Sequence, residues 1–206
     1  MRTRRVLVVL ALVCTALAIL CAMLPHAREW LDYDREALAR GEVWRLATAH
    51  LVHLSAAHAA LDITALLLVG WIFGPYLQTR ELVGLLVVAI IVIDASLWCL
   101  HPEVDHYAGL SGLLHAWFAA CATLWLLSAA PQATRISRRA WGVALLTGLA
   151  VKLALESGGH AFWLADAGFH VVTAAHRWGA AAGFACAIVI IVIRRRLFAA
   201  PASPRR

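Results

Sequence analysis

Long apolar runs separated by short polar breaks make up most of the chain. Six of them approach the ~20 residues that a helix needs to cross the hydrocarbon core of a bilayer. They lie at about 6–24, 55–76, 81–100, 109–130, 140–158 and 171–193. The pattern predicts an all-α membrane protein, a bundle of six transmembrane helices forming one membrane domain over 1–206. The first run follows Met1-Arg2-Thr3-Arg4-Arg5 and so looks like a signal peptide at its start. It is long for a signal segment and further spans follow, so it is read as a helix that stays.

Composition agrees. Of the 206 residues, 63% are hydrophobic and 15% charged, whereas a soluble domain carries about 25% charged residues. The length leaves no room for a sizeable soluble domain beside the membrane one. The net charge of +6 does not imply nucleic-acid binding, because the arginines collect at the ends of apolar runs. They also set the orientation. Arg2, Arg4 and Arg5, then Arg135, Arg138 and Arg139, then Arg194, Arg195, Arg196, Arg205 and Arg206 fall on one side of a six-span chain. That side is expected to be the cytoplasm, with both termini there. The stretch 25–54 on the other side has four arginines against five acids, and its Trp30–Arg45 portion has the mixed character of an interfacial segment. The five cysteines lie in or beside apolar runs without a C-x-x-C pair and read as small buried hydrophobes.

Ionisable residues inside spans are costly and usually functional. His58 and Asp62 begin the second span, Ser111 begins the fourth, and His176 sits about two turns into the sixth. Asp94, Lys152 and Glu156 lie in the outer halves of the third and fifth. The topology therefore gathers these groups toward the outer leaflet, as a water-filled site opening outward would require. Lys152 and Glu156 stand at i and i+4, where they can pair along one helix face, and that structural reading is preferred for them. Asp94 is expected to bond a neighbouring helix.

Gly109-Leu110-Ser111-Gly112 adds chemistry to this picture. A serine hydroxyl becomes a nucleophile only when a base takes its proton, and a histidine can do so without an acid as third partner. Backbone N–H groups at a helix N-terminus can face an oxyanion. Gly179 and Gly183 follow His176 on one helix face, where small residues let membrane helices approach closely. Such an approach could bring His176 to Ser111.

The combination resembles the rhomboid intramembrane serine proteases. Its carriers are Trp44-Arg45, then His53 and His58, then Gly109-Leu110-Ser111-Gly112, then His176-x-x-Gly179-x-x-x-Gly183, in order over roughly 44–190. The resemblance implies Ser111 as nucleophile, His176 as general base and His58 in the oxyanion hole. It places Trp44-Arg45 in a structured outer loop and a lateral gate between spans two and five. Asp62 stands where many rhomboids have Asn; an ionised carboxylate cannot donate to an oxyanion, so Asp62 is expected to orient His58 instead. His115 stands where many have Tyr packed on the catalytic histidine, and it can stack there similarly. Arg177 beside His176 has no account at this level.

These features look most like the rhombosortase branch, associated with bacterial proteins that carry a C-terminal GlyGly-CTERM signal: a glycine-rich motif, a hydrophobic helix and a basic tail. The implied partners are the lipid bilayer and membrane-anchored proteins with a glycine-rich segment, which unwinds a helix cheaply. The implied location is the bacterial inner membrane with the active site toward the periplasm. No cofactor, metal or nucleic acid is expected. A rhomboid-like pseudoprotease that binds transmembrane helices without cleaving them is the alternative, although such a protein need keep neither Ser111 nor His176. A metal or haem protein using His50, His53, His58 and Asp62 is a third reading, weakened by the absence of H-E-x-x-H.

Overall fold

The computed structural model describes residues 2–24, 26–128, 132–158 and 171–199. Arg205, Arg206 and the end of the fourth predicted span, 129–130, lie outside them. The described residues form helices α1 (Arg2–Met23), α2 (Arg35–Ala39), α3 (Arg45–Thr48), α4 (Ala56–Phe73), α5 (Thr79–Leu100), α6 (Ser111–Leu127), α7 (Gln132–Ser157) and α8 (Thr173–Ala199). Strands β1 (Tyr33–Asp34) and β2 (His106–Tyr107) complete them. The stretches 56–76, 79–100, 136–157 and 173–197 are long and apolar enough to cross a membrane. Val8–Met23 and Ser111–Leu127 are apolar but shorter. The chain is a multi-pass integral membrane protein.

Several boundaries depart from the hydropathy pattern: α1 begins at Arg2 rather than at about 6, and α8 runs on to Ala199 rather than ending at about 193. α7 begins at Gln132 rather than at about 140, taking Arg138 and Arg139 into the helix instead of a loop. Arginine is a good helix former, so polarity ends the apolar run without ending the helix. α6 begins at Ser111, two residues later than the run suggests, because Gly109 has φ +138° and cannot be helical.

Local chemistry fixes the helix starts. Ser55 caps α4, its hydroxyl accepting the His58 N–H at 3.1 Å, which sets His58 in the first turn. Gln78 and Glu81 form a capping box on α5. Arg194 of α8 donates to Glu81 at 2.8 Å and to the Tyr76 carbonyl at 2.9 Å, pinning α8 to the start of α5. α6 packs most closely on α8. A Cβ on Gly179 would collide with the Gly112 carbonyl, and one on Gly183 with the Ala116 carbonyl. The two backbones touch along this line, as small residues in membrane helices allow.

The stretch 28–55 is folded rather than loosely draped. β1 pairs antiparallel with β2, with Tyr33 opposite Tyr107 and Asp34 opposite His106. Asp34 caps α2 by accepting the Ala37 N–H at 2.9 Å, and that bond holds its carboxyl below the ordinary value. Arg45 is buried, donating to Glu42, to Asp32 and to the Glu29 carbonyl. Trp44 donates to the Trp30 carbonyl at 3.0 Å. Arg35 donates to the Trp98, His101 and Val104 carbonyls and lies over the Trp98 ring, closing the C-terminal end of α5. All five cysteines are free thiols.

Candidate active site

Ser111 opens α6, and two histidines bond it. His176 reaches it from α8: Nε2 lies 2.8 Å from Ser111 Oγ. The other nitrogen, Nδ1, lies 3.0 Å from Glu156 Oε2 on α7. A carboxylate only accepts, so Nδ1 carries the ring proton and the Nε2 lone pair faces the serine hydroxyl. The His176 side chain is 6% exposed and that of Glu156 9%. The other Glu156 oxygen holds Lys152. His115, one turn along α6, stacks on His176 with centroids 4.1 Å apart and planes 12° from parallel. Its Nδ1 donates to the Ser111 carbonyl at 2.7 Å. Arg177 donates to Ser157 at 3.2 Å, a second tie between the ends of α7 and α8.

The turn that presents Ser111 is braced from behind. Gly109 adopts a positive φ that favours glycine. A side chain there would meet His58, its Cβ only 2.8 Å from Cε1. The Gly109 N–H donates to the Ala49 carbonyl at 2.9 Å. Tyr107 donates its hydroxyl to the Gly109 carbonyl at 2.7 Å and lies 3.4 Å from His50 Nδ1. His50 Nε2 is bonded in turn to Asp94 at 3.1 Å. Asp94 thus bonds a loop histidine, rather than the neighbouring helix expected from its place in α5.

Asp62 makes more contacts than its spacing to His58 suggests. Its Oδ2 accepts the Leu110 N–H at 2.9 Å. It lies 3.4 Å from His58 Nε2 and 3.3 Å from His53 Nε2. The His53 approach is off the line that a hydrogen bond needs. The Leu54 N–H faces His58 Nδ1 at 3.5 Å, which leaves the His58 proton on Nε2, toward Asp62. Asp62 therefore touches both His58 and the backbone beside the serine.

A cavity of about 350 Å³ opens next to this site, lined by Val69 of α4, Leu114, His115 and Phe118 of α6, and residues of α7 from Ala144 to Lys152. α7 is lightly held, with only 6% of its apolar stretch buried. His115, Glu156 and His176 each offer a ligand atom within 4.8 Å of the others. Both His176 nitrogens and His115 Nδ1 already have partners, so a metal there would have to break those bonds.

The rhomboid domain matches residues 40–193 of the chain. The chain belongs to the rhomboid family. This is a family of intramembrane serine proteases, and the match spans the described elements from α3 through most of α8. No curated protein matches the chain. Within this rhomboid, Ser111, His176, His115, His58, Asp62, Gly109 and Gly112 gather around one turn, while Gly179 and Gly183 set the α6–α8 contact. The sequence reading overlooked Tyr107, saw in His50 only a possible metal ligand, and gave Glu156 only its lysine. Spacing reveals the i, i+4 pair within α7; the second contact depends on how α7 meets α8, which no local pattern records.

Proposed function

We propose that the chain is an intramembrane serine endopeptidase with Ser111 as nucleophile and His176 as general base. The observation that carries this is the 2.8 Å contact between His176 Nε2 and Ser111 Oγ at the start of α6. Attack by Ser111 on a peptide carbonyl transfers the hydroxyl proton to Nε2, and the N–H groups opening α6 face the developing oxyanion, with His58 joining them by turning its Nε2 proton away from Asp62. The Leu110 N–H is occupied by Asp62 and is not one of these donors. The cavity between α4 and α7 admits the substrate helix from the lipid. The arginines at the ends of the spans support an orientation, for six spans, with both termini in the cytoplasm and the serine toward the periplasm of a bacterial inner membrane.

The substrates we infer are membrane-anchored proteins ending in a glycine-rich GlyGly-CTERM segment, an apolar helix and a basic tail. A stable helix shields its peptide bonds, and each glycine lowers the cost of opening it by about 1 kcal/mol relative to alanine. Support comes from the Gly-Leu-Ser-Gly-Leu-Leu-His run and the His115 and Asp62 departures. The test is cleavage of a reporter with such a tail, co-expressed with wild type, Ser111→Ala or His176→Ala. Cutting by wild type alone supports the assignment. Cutting only of an unrelated rhomboid substrate removes the rhombosortase branch and keeps the protease. Cutting by Ser111→Ala at the wild-type rate refutes the mechanism. A pseudoprotease would cut neither reporter yet retain both in detergent.

A further inference from the structure

We propose, resting on the protease reading above, that Glu156 completes a Ser111–His176–Glu156 relay as the positioning residue for the histidine. A lysine–glutamate pair on the surface of α7 has no need to bury its carboxylate against another helix. Here Glu156 does so, with one oxygen on Lys152 and the other 3.0 Å from His176 Nδ1. The Arg177–Ser157 bond lies one residue further along both helices, so two adjacent contacts hold α7 and α8 together at this point. His115 covers one face of the imidazole. The ring is therefore fixed in rotation by Glu156, in plane by His115 and in reach by Ser111.

The proton bookkeeping assigns Glu156 a definite role. As Ser111 Oγ bonds to the carbonyl carbon, its proton moves to Nε2 and the carbonyl electron pair moves to oxygen. Collapse breaks the C–N bond, and Nε2 returns the proton to the leaving nitrogen. Water then attacks the acyl carbon and gives a proton to Nε2; the bond from that carbon to Oγ breaks, and Nε2 returns the proton to Ser111 Oγ as the carboxylic acid leaves. Glu156 gains no proton at any step. It faces a neutral ring at the start and an imidazolium in between, so its attraction is greatest where charge develops. Lys152 keeps the carboxylate from being an isolated charge in a poorly solvated place, which would be costly.

The experiment uses the full chain in proteoliposomes, with the glycine-tailed reporter for turnover and a fluorophosphonate for labelling of Ser111. Glu156→Gln is expected to lower kcat by about 100- to 10,000-fold, with KM within about twofold of wild type. Labelling should slow in parallel. Glu156→Asp, which keeps the carboxylate, should recover much of the loss. Ser111→Ala and His176→Ala test the underlying reading separately: both should abolish turnover, and Ser111→Ala should abolish labelling. If they do so while Glu156→Gln keeps the wild-type kcat, the relay is wrong and the protease stands. If Glu156→Gln and Glu156→Asp fail alike, with a raised KM and a lowered unfolding temperature, Glu156 is only a packing residue and the proposal is overturned. A wild type that neither cuts nor labels overturns both.

Discussion

Replacing Gly179 by alanine puts a methyl group into the carbonyl of Gly112, a neighbour that is backbone and cannot rotate away. The Cβ would fall well inside the 3.0 Å that real Cβ contacts essentially never breach. α8 must therefore move off α6 by about 1 Å, and a misplacement of that size costs on the order of 100-fold in rate when it separates reacting groups. The groups separated here are His176, one turn before Gly179, and Ser111, one residue before Gly112. Their 2.8 Å contact would lengthen past hydrogen-bond range. Overpacking also costs about 1–3 kcal/mol of stability, so unfolding in detergent must be followed beside reporter cleavage. Gly84→Ala is the control: it lies in α5, and a Cβ there meets nothing within 4 Å. The expected result is a folded Gly179→Ala protein with about 1% of wild-type kcat and an unchanged Gly84→Ala enzyme. A Gly179→Ala enzyme as active as wild type would show that the α6–α8 contact does not set the distance between serine and histidine.

Further expectations concern the surrounding residues. His115→Ala removes a stack worth about 1 kcal/mol, so kcat should fall roughly five- to tenfold, and His115→Tyr should restore most of it; equal rates for all three would show the stack idle. Asp62→Asn keeps an acceptor for Leu110 but loses the negative charge beside His58, and a drop of about tenfold in kcat is expected; no change would remove any specific role for the carboxylate. Arg194→Ala breaks the tie to Glu81 far from the serine, lowering stability by about 1–3 kcal/mol in thermal denaturation while leaving kcat at low temperature unchanged. Excess Zn²⁺ should inhibit reversibly, because His115, Glu156 and His176 converge within 4.8 Å, whereas EDTA alone should cost no activity; loss of turnover on chelation would revive a metal mechanism.

Much of the architecture is legible in hydropathy because lipid leaves a chain few options. Backbone polar groups must be satisfied within each span, so a long apolar run becomes a helix. The helix ends were less legible. The start of α7 was hidden because Arg138 and Arg139 interrupt hydropathy without interrupting helicity. The start of α6 was displaced because Gly109 reads as one more small apolar residue until its φ is known. In the site, Ser111 and His176 stand out because a polar residue in a membrane span is rare and expensive. Glu156 stood out equally, but its nearest pattern partner, Lys152, supplied a sufficient local explanation. The contact to His176 spans 20 residues and two helices. Tyr107 lies in the two-residue strand β2 and His50 in a loop, outside the spans where polarity is ordinary, and only their burial against Gly109 and Asp94 distinguishes them.

Three carboxylates, each meeting histidine, surround the turn at Gly109–Ser111, and each has a physical reason to be there. His50 meets Asp94, His53 and His58 meet Asp62, and His176 meets Glu156. A buried carboxylate without a partner is costly, and a histidine supplies an N–H without committing a permanent positive charge. The first pair packs against Tyr107, whose hydroxyl donates to the Gly109 carbonyl. The second acts on the same turn from the other side, through the Leu110 N–H. These two grip the backbone immediately before Ser111 and fix where the serine stands. The third grips the ring that faces it. A turn held at consecutive residues from opposite sides cannot drift without breaking a buried hydrogen bond. The serine is thereby positioned before any substrate arrives, which is the condition under which a fixed donor and acceptor lower a barrier instead of merely binding.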